Sequence, residues 1–305
     1  MSRKHVIARR YLCASVVAGL ALAGCSSSSK GSSSTLPTTA QPATTVAKPN
    51  GRPTLSVVAH DYSFSLPSNV VPAGYVDVTL QNQGKQDHQL QIVKLGRSTF
   101  DQFKAAAIKT DIGAMKPSTV FIGGPNNVAP GKSVTATVKL EPGLYVIACF
   151  IPGTDGKPHA AKGMLGEFQV APANDSINTA PKSSAKIILG DFSFTLPAGF
   201  TGKGEIDISN QGTQVHEAAL FKLNAGKTLA QAKAYILTPP GTPPPAGPPP
   251  FTEITGTVGL TPLQHAWLQM DLTPGNYMLI CFFPDPKKGD IPHAVEGMVK
   301  GFTIS

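Results

Sequence analysis

Charge is scarce in this chain of 305 residues: Asp, Glu, Lys and Arg together make up 14 % of it. So little charge, beside 30 Gly and 28 Pro, disfavours long solvent-exposed helices and suits short strands joined by many turns. Cysteine is scarcer still, with four in all, two of them within the first 25 residues. One disulfide, Cys149 to Cys281, is the most that the rest of the chain allows, and it would need those positions to face each other closely. The apolar run over residues 11–23 is too short for a typical membrane-spanning helix. No basic stretch interleaves with aromatics, so nucleic acid is not an expected partner. No Ser/His/Asp or zinc-hydrolase spacing occurs either, and there is no Met-rich or His-rich tract.

What stands at the N-terminus is an export signal. Arg3, Lys4, Arg9 and Arg10 form a basic head before the apolar run, and Leu22-Ala23-Gly24-Cys25 follows it. That tetrapeptide resembles the lipobox of bacterial lipoproteins, in which the Cys is lipidated and becomes the first mature residue. The resemblance implies a signal peptide over 1–24, lipidation at Cys25 and an extracytoplasmic protein held to the cell membrane by lipid. Arg9-Arg10 also resembles a twin-arginine signal, so Sec and Tat export stay open. Loss of four basic residues and no acidic ones takes the formal charge from +8 to about +4. Residues 26–53 carry almost no large apolar side chains and are expected to be a disordered tether, 25–53 counting the lipidated Cys.

The remainder is written twice. Asp61-Tyr62-Ser63-Phe64-Ser65-Leu66-Pro67 matches Asp191-Phe192-Ser193-Phe194-Thr195-Leu196-Pro197. Asn82-Gln83-Gly84-x-Gln86-x-His88 matches Asn210-Gln211-Gly212-x-Gln214-x-His216. Pro142-Gly143-x-Tyr145-x-x-x-Cys149 matches Pro274-Gly275-x-Tyr277-x-x-x-Cys281. Pro158-His159-x-x-x-Gly163-Met164 matches Pro292-His293-x-x-x-Gly297-Met298. Alternating patterns predict strands over 75–80, 89–95, 133–140 and 165–170, and over 204–208, 217–223, 266–272 and 299–304. Ser98 with Asp101, and Thr228 with Gln231, have the spacing of N-terminal capping pairs, so each repeat is expected to carry a short helix. The reading is all-β: two tandem Greek-key sandwiches over 54–172 and 184–305, with a linker over 173–183. The Pro-rich piece 239–250 reads as a stiff exposed insertion.

Each repeat thus holds one upstream His and a late Cys, His and Met. Two imidazoles, a thiolate and a weak thioether are the donor set of a type 1 copper centre. The closing segments, Gly-x-Tyr into Cys and then Pro-His-x-x-x-Gly-Met, resemble plastocyanin and its cupredoxin relatives, as do the Asn-x-Gly turns before His88 and His216. The resemblance implies one copper per repeat, on His88, Cys149, His159 and Met164, and on His216, Cys281, His293 and Met298. It further implies one-electron transfer with a redox protein partner, the loop residues His159 and His293 being the exposed edge of each centre. Two features depart from the family. Nine residues separate Cys149 from His159 and eleven separate Cys281 from His293, whereas plastocyanin has a much shorter loop. Gln89 and Glu217 stand where many cupredoxins have an Asn that holds the Cys backbone.

Histidine supply argues against an enzyme. Of seven His, His5 leaves with the signal and four serve the two centres. His60 and His265 cannot make a trinuclear cluster, which uses His-x-His pairs. Ala148 and Ile280 stand where a copper nitrite reductase has a second-copper His. Capture and delivery of copper outside the cell, and a metal-free adhesion or assembly module of the same fold, remain open alternatives.

Overall fold

The computed structural model describes residues 51–115, 119–173, 178–239, 242–243 and 245–305. The expected signal peptide, Cys25 with its expected lipidation, and nearly all of the expected tether lie outside the described residues. With 48 % strand and 11 % helix, the protein is all-β with a few short helices. Among the described residues no helix is long and apolar enough to cross a membrane.

The first half contributes β1 (Thr54–His60), β2 (Ser63–Ser65), β3 (Val70–Pro72), β4 (Gly74–Asn82), β5 (Gln91–Leu95), β6 (Thr119–Gly123), β7 (Ser133–Leu140), β8 (Gly143–Ala148) and β9 (Leu165–Ala171). The second contributes β10 (Ala185–Gly190), β11 (Ser193–Thr195), β12 (Lys203–Asn210), β13 (His216–Leu223), β14 (Phe251–Leu260), β15 (His265–Asp271), β16 (Gly275–Ile280), β17 (Pro284–Asp285), β18 (Ile291–Pro292) and β19 (Val299–Ile304). Alternation drives the packing. In β4 the inward set Val76, Val78 and Leu80 is fully buried, as a strand with one face on the core requires.

The strands form two large sheets. One runs β11-β10-β12-β15-β7-β4-β1-β2, the other β19-β16-β13-β14-β6-β5-β8-β9-β3. Each sheet therefore continues from one half of the chain into the other. In the first, β15 meets β7 antiparallel, with Trp267 opposite Thr137. In the second, β14 meets β6 at Leu260 and Ile122. Strands that would otherwise be open edges are thus paired internally. The larger apolar cluster takes in Val78 and Ile147 of the first half and Ile206 and Leu279 of the second, and a smaller one around Phe221, Ile280 and Ala232 belongs to the second half alone.

Three helices are short: α1 (Phe100–Ala107), α2 (Ile112–Met115) and α3 (Leu229–Ile236). α3 starts where expected, Thr228 and Gln231 forming a reciprocal capping box. α1 starts one residue later than Ser98 with Asp101 predicts. Its box is Thr99 with Gln102, each side chain bonded to the other's backbone N–H. Gln reaches back to the cap N–H as Glu does, and Thr99-x-x-Gln102 reproduces the second box in residue type. β6 and β14 were not predicted by patterning. β14 contains Gly256 and Gly259, and glycines break the alternation that marks a strand.

Candidate metal centre

Each upstream His is set by a turn with little freedom. Asn82 is buried; its Nδ2 donates to the Gln86 carbonyl (2.7 Å) and the Val128 carbonyl (2.7 Å), and its Oδ1 accepts from Gly84 N (2.8 Å). Asn210 repeats this with Gln214 (2.7 Å), Leu260 (2.6 Å) and Gly212 (2.9 Å). Gly84 must be glycine: a Cβ there would lie 2.5 Å from Asp61 Oδ1 and 2.8 Å from His88 Nε2. Gly212 is held in the same way by Asp191 and His216.

The other donors come from the loop after β8. Cys149 follows the strand directly, its N–H donating to the Met164 carbonyl (3.2 Å) and its carbonyl accepting from Ala160 N (2.8 Å). His159 opens a single helical turn that ends at Gly163, in the left-handed region at φ 101°, a conformation that favours glycine. Met164 then returns its N–H to the His159 carbonyl (3.0 Å). Cys281, His293 and Met298 repeat all of these contacts.

The structure brings His88, Cys149 and His159 together, and separately His216, Cys281 and His293, all of them buried. Met164 and Met298 are buried beside their loops. In the first group Nδ1 of His88 is 3.1 Å from Nδ1 of His159, and Cys149 Sγ is 3.9 and 3.5 Å from them. A triangle with sides of 3.1, 3.5 and 3.9 Å has a point about 2 Å from every corner, the length of a metal–imidazole or short metal–thiolate bond, ~2.0–2.3 Å. In the second group the Nδ1 pair is 3.0 Å apart and Cys281 Sγ lies 3.5 Å from His293 Nδ1. The alternative pairing of the two cysteines does not form; neither is in a disulfide.

Proton positions follow from the outer partners. His88 Nε2 is 3.3 Å from Asp61 Oδ1 and His216 Nε2 is 2.8 Å from Asp191 Oδ1. Burial works against the charge of Asp61, but N–H groups of Lys85 and Gln86 and the His88 ring outweigh it and hold its carboxyl below the usual range. At Asp191 burial is likewise outweighed, by the Thr213 hydroxyl, His216 and the N–H groups of Thr213 and Gln214. A carboxylate only accepts, so Nε2 carries the proton and Nδ1 presents a lone pair. His159 Nε2 faces Gln86 Oε1 at 3.3 Å, while Gln86 Nε2 donates to the Tyr62 hydroxyl (2.7 Å). His159 Nδ1 is thereby also a lone pair. Two lone pairs 3.1 Å apart repel unless a cation lies between them, so the donor set fits a metal ion. Burial, then the charges of His88 and Lys162, push the His159 pKa down to about 4. Burial pushes the Cys149 thiol up to about 12.

Three findings go beyond or against the sequence reading. Asp61 and Asp191 belong to the matched Asp-x-Ser-Phe segments, and that repetition was the signal for a role. Glu217 does what the family's Asn does: its Oε1 accepts from the N–H of Phe282, the residue after Cys281, at 2.8 Å. The loop imidazoles, expected to be the exposed edge, are buried. Tyr62 stands edge-on to His159 at 5.3 Å between ring centroids, and Phe192 to His293 at 5.4 Å. Phe283 of the second loop also lies against His293, at 6.4 Å between centroids.

No protein-family model matches the chain, and no curated protein matches it in sequence. Among solved structures it is similar to auracyanin from the photosynthetic bacterium Roseiflexus castenholzii, at 26 % identity over 39 % of this chain and 97 % of that one, TM-score 0.27. It is similar to rusticyanin from Thiobacillus ferrooxidans, at 23 % identity over 39 % of this chain and 77 % of that one, TM-score 0.29. It is also similar to a multicopper oxidase, at 17 % identity over 87 % of this chain and 94 % of that one, TM-score 0.26. Auracyanin and rusticyanin are cupredoxins, each matched over a minority of this chain.

Proposed function

We propose that the protein is an extracytoplasmic electron carrier with two type 1 copper centres. His88, Cys149, His159 and Met164 would hold one copper, and His216, Cys281, His293 and Met298 the other. The observation that carries this reading is the pair of Nδ1 atoms turned toward each other beside a buried thiol, in each half of the chain. Copper, when bound, supplies a one-electron couple between Cu(I) and Cu(II). A soft thiolate with two imidazoles and a thioether nearby selects copper over harder cations.

The residues do the rest. Asp61 and Asp191 fix each upstream ring and its tautomer. The Gln89 and Glu217 N–H groups point at Cys149 Sγ (3.5 Å) and Cys281 Sγ (3.4 Å), so each sulfur carries its negative charge against a donor. The buried apolar surroundings exclude water, and the backbone ties between Cys149, His159 and Met164 keep the donors in place in either oxidation state. Tyr62 and Phe192, half-buried over the loop imidazoles, would be where a redox partner makes its closest approach. Cys25 would carry the lipid that holds the protein at the membrane, and residues 54–172 and 184–305 would be its two cupredoxin-like domains.

Adding Cu(II) to the metal-free protein tests this reading. An intense thiolate charge-transfer band should grow to a stoichiometry near two. Cys149→Ser and Cys281→Ser should each remove part of the band, and the double variant all of it. Absence of a band at any copper level rejects the proposal.

A further inference from the structure

The two centres share their donors and differ in the charges beside them. Three residues after His159 stands Lys162, with Nζ 4.5 Å from the centroid of the Tyr62 ring that covers that imidazole. It pairs with Asp155 at 2.9 Å, and Asp155 is the more exposed of the two, at 45 % against 21 %. Three residues after His293 stands Glu296. Its partner Lys288 also stands over the covering ring, Nζ 5.3 Å from the Phe192 centroid, but the pairing is reversed in exposure: the carboxylate is 6 % exposed and Lys288 is 56 % exposed. Four residues after Cys149 is Gly153, and four after Cys281 is Asp285, which is buried. Oxygens of Asp285 and Glu296 and a ring nitrogen of His293 lie within 4.8 Å of one another. Asp285 Oδ1 accepts from the Lys287 N–H at 2.8 Å. Glu217 places a further carboxyl where the first half has the Gln89 amide.

Water and salt screen exposed charges far more than buried ones. Beside His159 the less screened charge is the ammonium of Lys162. Beside His293 it is the pair of carboxylates. Asp61 and Asp191 occupy equivalent places and cancel in the comparison, whereas half-buried Asp87, with Val215 as its counterpart, acts on Cys149 against the charge of Lys162. A nearby cation favours the reduced, less positive state of a metal centre, and nearby anions favour the oxidised one.

We infer that these charges set the two centres at different potentials, the Cys149 centre the higher and the Cys281 centre the lower, an order that would favour an electron moving toward the Cys149 centre. This rests on the copper reading above. With copper bound at both, such an electron would be lost at the Cys281 centre and gained at the Cys149 centre, with no bond made and no proton moved. The lower centre would then take the electron from the donor and the higher one would pass it to the acceptor.

The test uses the full chain loaded with copper. Cys281→Ser leaves the first centre and Cys149→Ser the second, and a redox titration of the charge-transfer band gives each potential. The first is expected above the second by more than about 59 mV, a tenfold preference for one electron. Lys162→Glu in the first background should lower that potential, and Glu296→Lys in the second should raise it. Lys162→Gln and Glu296→Gln, milder changes at the same places, should shift each in the same sense by a smaller amount. Two bands with equal potentials, or with the order reversed, overturn this inference and leave the copper reading standing. No band in either background overturns the copper reading, and this inference with it.

Discussion

Asp61 and Asp191 decide which nitrogen of each upstream imidazole stays free for a metal. Without the carboxylate the ring can carry its proton on Nδ1, and a protonated Nδ1 cannot ligate. Asp191→Ala should therefore weaken copper binding at the Cys281 centre by ~10–100-fold, the usual cost of losing such a partner, and leave the Cys149 centre unchanged. A competition titration against a chelator of known affinity reads both at once. Protons report on the metal-free protein too. His159 titrates near 4 in the fold against an ordinary value of 6.5. A depressed pKa means that the unfolded chain binds the proton more readily. The stability from its neutral ring is thus complete above pH 6.5 and lost as pH falls through about 4. Thermal melts of the metal-free protein at pH 7, 5 and 4 should show a falling midpoint. Bound copper should delay the fall, since it occupies the nitrogen that a proton would take. A midpoint indifferent to pH over this range would contradict the burial argument for that ring.

Among the elements, the helix starts are the sharpest comparison of sequence with structure. Thr99→Ala and Thr228→Ala each remove a side-chain cap and half of a reciprocal box, so each should cost about 1 kcal/mol in a denaturant titration. Ser98→Ala should cost less than Thr99→Ala; the opposite order would move the start of α1 back to the predicted residue. Thr228 with Gln231 was legible because both partners lie within one turn. Ser98 with Asp101 was a second local match one residue away, and spacing alone does not choose between overlapping boxes. The same distinction governs the candidate centre. Cys149, His159 and Met164 sit in one short segment, and His88 follows a turn marked by Asn82 and Gly84, so these could be read directly. Asp61 bonds a ring 27 residues further on, and Glu217 an N–H 65 residues on. Neither contact leaves a local pattern. The burial of His159 was missed for a related reason, because Tyr62, 97 residues earlier, meets the ring only in the folded chain.

At the scale of the whole molecule, the two halves share more than a tether. β7 with β15 and β6 with β14 carry both sheets across the junction. The crossing contacts come in near-symmetric pairs: Asn126 N donates to the Gly256 carbonyl and Val258 N to the Gly124 carbonyl, each at 3.1 Å. Phe121 N reaches Thr261 Oγ1 (2.8 Å) and Thr261 N reaches the Phe121 carbonyl (2.8 Å). Gln91 of the first half donates to the Gly259 carbonyl of the second (3.0 Å). Phe121 also meets Phe283, two residues past Cys281, edge-on at 5.5 Å, so the loop of one centre rests on the core of the other half. Sequence periodicity has no term for such pairing; β6 and β14 match no repeat motif and carry the glycines that allow close approach. With one apolar cluster continuous through both halves, neither can open without exposing the other's strand edges and core. Equilibrium unfolding should therefore be a single transition despite the doubled sequence. The chain has one Trp, and it reports from the junction. Trp267 is nearly buried, pairs with Thr137 across the two halves and stands edge-on to Tyr75 at 5.4 Å. Its emission should change at the same denaturant concentration as the far-ultraviolet circular dichroism, which sees all the strands. A Trp267 transition well below the main one would show the junction parting first, and two dichroism transitions would show each half holding its fold alone.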